Sequence, residues 1–360
     1  MINEDLRKNI QSREWEQYWS GKWSFTTASY FLYYYTHLMK AQMGEGFTTV
    51  AAISREGHTT CFFDKSDRKR FGEHLVKQVL ADSTFIPRFC KNLKQRADHF
   101  STVMTRLKQQ PAIRPDDFNI FIQEFYAYTG PHISPRHIID FLPEDKQQTY
   151  FSDLKDVRLY TEHVYADTEQ LMQQWATQIS EKLGLAPTHV LCLTREEVEH
   201  ALESQNVPNH EILQERFHCS ALIAHDEICE VATGEDAISI EQLLAGIDSK
   251  TSELSGTIAY AGNVRGHARI VLNPSDVSDF QEGDILVSTM TRPEFLPLMK
   301  KAAGIVTDLG GLLCHAAIVA RELRKPTIIG TENATKIFKD GDTIEIDSDR
   351  AQVRKISLPL

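Results

Sequence analysis

Apolar residues recur at helical spacing through most of the first 250 positions, and beyond them give way to short runs rich in Val, Ile, Gly and Asp. Residues 67–80, 85–107, 116–128 and 145–183 form amphipathic stretches that predict helices. The last of these carries Leu154, Val157, Tyr160, Val164, Leu171, Trp175, Ile179 and Leu183 near a 3.6-residue period. It closes at Gly184, with Pro187 just beyond. Residues 47–53 with 61–63, and 217–224 with 228–232, are apolar runs broken by turn residues and predict two hairpins. Residues 130–137 hold a glycine and two prolines, which is a loop composition. A short helix is expected over 240–244. The polar stretch 248–253 after it is the expected linker and hinge. The pattern therefore predicts an α+β chain of more than one domain, with a mostly helical part carrying small β-hairpins over residues 1–250 and a β-rich part over 251–360.

Composition narrows the class. A chain of 360 residues with 41% hydrophobic and 25% charged residues is long enough for two or three packed domains. Its net charge of -11 argues against a broad nucleic-acid surface, which needs clustered Lys and Arg. The first fourteen residues are charged, and no later run is long enough to cross a bilayer, so a cytoplasmic protein is expected. Cys61, Cys90, Cys192, Cys219, Cys229 and Cys314 are scattered with no Cys-x-x-Cys pair, which fits reduced thiols and no metal site.

The candidate chemistry lies at residues 310–322. Gly310 and Gly311 precede Leu312, Leu313, Cys314 and His315, and the segment from Ala316 onward has helical composition up to Pro326. Glycines permit backbone angles and close approaches that a side chain blocks. His315 is then expected in the first turn of a helix, where amide N–H groups and the positive end of the helix dipole converge. A phosphoryl group on the imidazole would be stabilised there by the loop and helix start, Gly310, Gly311, Cys314 and Ala316, and the two alanines, Ala316 and Ala317, leave room for it. A neutral imidazole nitrogen is nucleophilic near neutral pH and passes a phosphoryl group onward readily. For an isolated histidine, a buried structural role is the alternative.

Gly-Gly followed by His-Ala-Ala-Ile-Val-Ala-Arg-Glu-Leu resembles the phosphohistidine motif of the mobile, or swivelling, domain of phosphoenolpyruvate-utilising enzymes. That family includes phosphoenolpyruvate synthase, pyruvate phosphate dikinase, enzyme I of the sugar phosphotransferase system and rifampicin phosphotransferase. The likeness extends over about a hundred residues. It takes in Gly262, Asn263, Val264, Arg265 and Gly266, the stretch 283–287, Thr289, Thr291, Arg292, Pro293 and Glu294, the stretches 303–308 and 325–331, and the closing 341–347. The resemblance implies a β/β/α swivelling phosphohistidine domain over 251–360. It also implies that His315 takes a phosphoryl group from ATP or phosphoenolpyruvate with Mg2+ and carries it to a second site. Thr289, Thr291 and Arg292 are then candidate contacts to nucleotide or domain partner, although capping and turn roles account for them as well. Arg321, six residues after His315, is displaced around the helix. A structural ion pair suits it better than a phosphate contact. Leu313 stands where many members have a regulatory threonine, which argues against that mode of control. Cys314 is read as a small packing residue, with redox control as the alternative.

The stretch before residue 250 has a patchier resemblance to the helical region of rifampicin phosphotransferase, through residues 190–197 and 234–237. Members of that type carry an ATP-grasp domain and, in the synthases, a phosphoenolpyruvate-binding barrel. This chain has too few residues before its helices for the first and none after residue 360 for the second. The expectation is therefore an acceptor-plus-carrier half that works with a separate ATP-grasp protein. A dense aromatic segment with Trp19, Trp23 and Tyr34 suits either a helical core or a small-molecule acceptor pocket. His37, His132, Arg136 and His137 are candidate acceptor-site bases or anion ligands. A carrier loaded from phosphoenolpyruvate by a partner is a second reading, and a non-catalytic interaction protein that retains the fold is a third.

Overall fold

The computed structural model describes residues 4–204, 206–225, 228–245, 253–277 and 279–356. Residues 248–252 of the expected hinge lie outside them. The chain divides into two compact units: one of residues 1–16 and 20–245, the other of residues 246–360 with Gln17–Trp19.

The first unit runs α1 (Glu4–Gln11), β1 (Trp15–Gly21), α2 (Phe25–Tyr33), a π-helical turn (Tyr34–Leu38), α3 (Met39–Met43), β2 (Thr49–Arg55) and β3 (His58–Asp64). It continues with α4 (Lys65–Ala81), α5 (Phe85–Lys108), α6 (Pro115–Phe141), α7 (Glu144–Thr161), α8 (His163–Leu183), α9 (Pro187–Val190), α10 (Arg195–Glu203) and α11 (His210–His218). β4 (Ser220–His225), β5 (Ile228–Thr233) and α12 (Gly234–Ala245) complete it. The two expected hairpins are not separate, because β2 pairs antiparallel with both β3 and β4, giving one sheet in the order β1-β3-β2-β4-β5. The second hairpin also starts later than its apolar run. Asn209 caps α11 by accepting from the Ile212 N–H at 2.9 Å, which carries Phe217 and His218 into the helix.

Two helical expectations need correction. Residues 130–137 are not a loop: they lie inside α6, with Pro131 and Pro135 in its interior. Burial outweighs composition here, since Gly130, His132, Ser134, Pro135 and His137 are all buried. At Gly130 the helix runs so close to Tyr34 that a Cβ would stand 2.1 Å from its Oη. Side chains add bonds along the same stretch, with Ser134 Oγ donating to the Gly130 carbonyl at 2.8 Å and His137 Nδ1 lying 3.0 Å from that of Ile133. The single helix expected over 145–183 is interrupted at Glu162. Tyr128 Oη donates to the Thr161 carbonyl at 2.5 Å, and the Glu162 N–H turns back to Leu159 at 3.4 Å, a tighter turn than the α-helix.

The carboxyl group of Glu169, on α8, sits against the Ser24 N–H at 3.4 Å and the Ser24 hydroxyl at 3.5 Å. Burial pushes it up to about 7, against the bonds from Thr27 and Ser24. A carboxyl raised in the folded state stabilises the fold fully below the unfolded value and loses that contribution as pH rises through the folded one. Glu169→Gln cannot titrate. It is expected to gain stability over the wild type between pH 4.5 and 8, by an amount on the order of 3 kcal/mol. Urea unfolding of both proteins at the two pH values measures it. Parallel pH profiles would refute the assignment.

The second unit holds β6 (Glu253–Ser255), β7 (Thr257–Tyr260), β8 (Val264–Ile270), β9 (Ile285–Ser288), α13 (Leu296–Lys301), β10 (Gly304–Thr307) and α14 (His315–Leu323). β11 (Thr327–Ile329), α15 (Ala334–Ile337), β12 (Thr343–Asp347) and β13 (Gln352–Lys355) follow. The strands form one sheet in the order β6-β13-β12-β8-β9-β10-β11-β7, parallel from β8 to β11 and antiparallel toward both ends. Side chains that alternate along the central strands enter two cores. Ile285, Val287 and Val306 pack with Ile344, Ile346 and Val353 of the end strands, whereas Leu286 and Ile305 pack with Met299, Val319 and Ala320 of the helices. The chain is thus of mixed helix and sheet class. Among its described residues no helix is long and apolar enough to cross a membrane.

Candidate functional site

In a parallel sheet the loops that leave the carboxyl ends of adjacent strands gather on one edge, and ligands bind there. Here β9 leads into Thr289, Thr291 and Arg292, and β10 leads into Asp308, Gly310, Gly311 and α14. The two loops are joined by backbone bonds: Asp308 N–H to the Ser288 carbonyl at 3.0 Å, and Leu309 N–H to that of Thr289 at 2.8 Å.

His315 is the first residue of α14, and Cys314 is its cap. The Cys314 backbone is extended (φ -73°, ψ 161°), and its Sγ accepts from the Ala317 N–H at 3.4 Å. That gives the thiol a structural task and leaves the amides of His315 and Ala316 in the turn whose N–H groups lack intrahelical acceptors. Gly310 has φ +146°, and a Cβ there would stand 2.9 Å from Cys314 Sγ and 3.2 Å from Ile329 Cβ. The Gly311 carbonyl accepts from the Cys314 N–H at 2.9 Å, closing the turn. Leu309 and Leu313 are buried and anchor the loop on either side of the glycines.

Thr291 Oγ1 lies 2.9 Å from His315 Nδ1, and Thr291 itself is 3% exposed. The Nδ1 of the half-buried imidazole is therefore held by a fixed hydroxyl. Arg321 reaches back along α14, and its guanidinium donates to the Leu312 carbonyl at 2.8 Å and that of Ala317 at 3.4 Å. These two bonds tie it to the loop and to its own helix. Burial lowers its pKa. Arg292 caps a single 3-10 turn at Pro293–Phe295, and its Nε is buried with no partner among the described residues. Beneath the loop, Thr307 Oγ1 donates to the Leu309 carbonyl at 2.6 Å, and the Asp308 carboxylate accepts from the Thr335 N–H at 3.0 Å and from its hydroxyl. Burial pushes Asp308 up to about 6 against those bonds.

The structure thus brings Gly310, Gly311, Cys314, His315, Ala316, Thr291 and Arg321 together, with Thr289 contributing its carbonyl. Among the described residues no cluster of three His, Cys, Asp or Glu side chains is placed to hold a metal ion.

The acceptor candidates do not form one group, and Trp19 falls in the second unit. Trp23 and His132 are linked through Tyr165, whose ring lies 5.5 Å from the first and 4.4 Å from the second. His132 is buried, with Arg158 Nη1 at 2.5 Å from Nε2 and Tyr128 Oη at 2.5 Å from Nδ1. Burial, and then Arg158, hold its pKa well below the usual histidine range. His137 is also buried, edge-on to Phe71 at 5.0 Å, and burial followed by the Arg68 charge lowers it likewise. Arg136 leans toward Asp140 at 3.7 Å. Tyr34 is buried on the Tyr126 ring with its hydroxyl on Gln42 at 3.0 Å, and Trp19 is half-buried on β1. His132, His137 and Tyr34 are therefore core side chains. Sequence reasoning missed Arg158, Tyr165 and Glu169, which lie on polar or ordinary helical positions and carry no local signal.

Residues 280–351 match the family described as PEP-utilising enzyme, mobile domain. The probable phosphoenolpyruvate synthase of Archaeoglobus fulgidus is 47% identical over 100 residues, which are 28% of this chain and 13% of that protein. The phosphoenolpyruvate synthase of Pyrococcus furiosus is 42% identical over 126 residues, 35% of this chain and 15% of the relative. The rifampicin phosphotransferase of Bacillus subtilis is 34% identical over 196 residues, 52% of this chain and 21% of the relative. The matched stretches thus span about a fifth or less of these relatives. They place residues 280–351 in the mobile-domain family, whose named relatives are phosphotransferases.

Proposed function

We propose that this chain transfers phosphoryl groups through a phosphohistidine at His315, as the acceptor-plus-carrier half of an ATP-dependent, dikinase-type phosphotransferase. The observation that supports this most is the Thr291 hydroxyl at 2.9 Å from His315 Nδ1, at the start of α14 and beside the Gly310 turn. On this reading Nδ1 carries the proton and donates it to Thr291 Oγ1, and Nε2 attacks. The Nε2 lone pair bonds to phosphorus while the bond from phosphorus to the donor oxygen breaks, that oxygen keeping the electron pair. The ring then holds a phosphoryl group on Nε2 and a proton on Nδ1. Its positive charge is eased by the Thr291 oxygen, and the phosphoryl charge by the first amides of α14. In the second half-reaction an acceptor oxygen bonds to phosphorus and the pair in the Nε2–P bond returns to the ring.

The donor on this reading is ATP bound with Mg2+ by a separate ATP-grasp protein. With this donor the group first taken by Nε2 carries two phosphoryl units; water takes the outer one as inorganic phosphate, and the remaining phosphoryl passes to a small-molecule acceptor held by the domain of residues 1–250. The domain of residues 251–360 swings between the two sites. The test is mass spectrometry of the full chain after incubation with Mg-ATP and an ATP-grasp protein, with phosphoenolpyruvate, or with potassium phosphoramidate, which needs no protein partner. An acid-labile, base-stable phosphoryl group on His315 is expected. Labelling by phosphoenolpyruvate but not by Mg-ATP would replace the donor, and no label from any of the three would leave only an interaction role.

The Thr291 contact gives a separate expectation. Thr291→Val keeps the shape and removes the hydroxyl. Loss of one hydrogen bond to the ring is expected to slow labelling of His315 by phosphoramidate about tenfold. Nitrogen NMR should then show a mixture of imidazole tautomers. An unchanged rate with an unchanged tautomer would remove Thr291 from the scheme.

A further inference from the structure

Asp308 follows β10 directly, two residues before Gly310, and its backbone and side chain are engaged by three other segments of the sheet edge. Its N–H donates to the Ser288 carbonyl at the end of β9, and its carbonyl accepts from the Glu332 N–H in the loop after β11, each at 3.0 Å. Its carboxylate, on a residue only 2% exposed, reaches α15. One oxygen accepts from the Thr335 N–H at 3.0 Å and the other from the Thr335 hydroxyl, and the Ala334 N–H bonds to the group as well. The neighbouring Thr307 carbonyl adds two bonds from that same loop, from the Thr331 N–H and hydroxyl, each at 3.1 Å.

α15 has a local need for this carboxylate. Asn333 stands at its cap position and makes no side-chain bond to the helix, so the first N–H groups of α15 turn to Asp308 instead. The arrangement costs stability. Burial pushes the Asp308 carboxyl up to about 6, against the bonds from Thr335 and Ala334 and the charge of Lys336. A carboxyl raised in this way stabilises the fold below its unfolded value and loses that contribution as pH rises through the folded one, so at neutral pH the ionised group is a net cost. A capping side chain at position 333 would serve α15 alone without burying a charge. What the carboxylate supplies in addition is a tie between α15 and the strand end that leads to His315.

That tie bears on the Gly310 turn. The loop held by Asp308 begins at Gly330, where a Cβ would stand 3.3 Å from the Gly310 carbonyl oxygen, and a Cβ on Gly310 would stand 3.2 Å from Ile329 Cβ. The two turns are therefore in close contact, and a shift of one displaces the other. On the opposite side, the bonds from Asp308 to Ser288 and from Leu309 to Thr289 set the β10 loop beside the loop that carries Thr291. We propose that Asp308 is a positioning residue for His315: it holds the loops after β9, β10 and β11 in one arrangement, and so fixes the turn from which α14 starts and the approach of the Thr291 hydroxyl to Nδ1. The consequence for phosphoryl transfer rests on the role proposed for His315, whereas the placement of the ring does not.

The test uses the full chain, potassium phosphoramidate as the probe, and the variants Asp308→Ala, Asp308→Asn and Thr335→Val. Label is read at His315 by mass spectrometry, and the ring tautomer by nitrogen NMR without any phosphoryl donor. Asp308→Ala is expected to slow labelling about tenfold and to give a mixture of tautomers, although it removes no group that touches the ring. Thr335→Val loses only the hydroxyl bond and should slow labelling about threefold. Asp308→Asn keeps an oxygen for the Thr335 N–H and carries no charge. It should restore labelling to within about twofold of the wild type and, at pH 8, unfold at higher urea concentration. A merely structural role would lower the stability of Asp308→Ala and leave the rate and tautomer of the folded protein unchanged, and that result would overturn the proposal. Should Asp308→Ala fail to fold, an unchanged rate and tautomer in Thr335→Val would overturn it instead. Asp308→Asn as slow as Asp308→Ala would do so too, because the charge and not the tie would then matter. A wild type that takes no label would remove His315 from transfer, and the tautomer would still decide whether Asp308 places the ring.

Discussion

Replacing His315 with alanine is expected to abolish phosphoryl labelling of the chain by its cognate donor, while the fold survives. The expected loss is more than about a thousandfold, the scale on which removal of a nucleophile acts in covalent catalysis. Three side chains named above are poorly placed to take over. His132 and His137 are buried in the other unit, their ring nitrogens lie against Tyr128, Arg158 and the Ile133 carbonyl, and burial keeps both pKa values low. Cys314, beside His315, has its sulfur engaged as the cap of α14. The cost to stability should be modest. His315 is half-buried at a helix start, and its loss leaves chiefly the Thr291 hydroxyl without the ring, worth about 1–3 kcal/mol for a buried group. Phosphate released by acid from the labelled protein, compared between wild type and variant, gives the answer. Label retained undiminished in the variant would sink the role assigned to His315.

The site was legible because its chemistry is written in consecutive residues. Two glycines, a small cap and a helix start are local features, and the sequence places them within a few positions of the histidine. Thr291 could be named from the sequence, but its role could not. The contact with Nδ1 joins loops from two neighbouring parallel strands, and only the pairing of β9 with β10 brings them side by side. Arg321 shows the same limit. Its position on the helix argued against a phosphate contact, but nothing local announced that its guanidinium would turn back to the Leu312 carbonyl. In the helical unit the failures run the other way. Residues 130–137 have every local mark of a loop, and packing against Tyr34 holds them in a helix instead. The break at Glu162 arises from a tyrosine 33 residues away in sequence that takes up a helix carbonyl, which no periodicity can report.

Gly310→Ala is expected to damage the site almost as severely as loss of the histidine, although it touches no reacting atom. At φ +146° an alanine lies in a region that is essentially reserved for glycine, at a cost of about 1–3 kcal/mol. Its Cβ would also stand 2.9 Å from Cys314 Sγ and 3.2 Å from Ile329 Cβ. Ile329 is fully buried on β11 and cannot retreat, so the sulfur is the group that has to move. Moving it breaks the bond from the Ala317 N–H to Cys314 Sγ, removes the cap of α14 and turns the first residue of that helix, which is His315. The imidazole then loses its alignment with Thr291. The variant should unfold at lower urea concentration, by an amount equivalent to about 2–4 kcal/mol when strain and lost cap are combined. Labelling of His315 by phosphoramidate should fall by about a hundredfold, because misplacement by an ångström carries that order of penalty. A double variant, Gly310→Ala with Cys314→Gly, separates the two causes. Removing the sulfur relieves its clash, while the cap and the unstrained backbone stay lost, so partial recovery of labelling would assign the loss to displacement by the clash and not to the missing cap. If Gly310→Ala alone labelled at the wild-type rate, the turn would be a connector and His315 would owe its orientation to Thr291 alone.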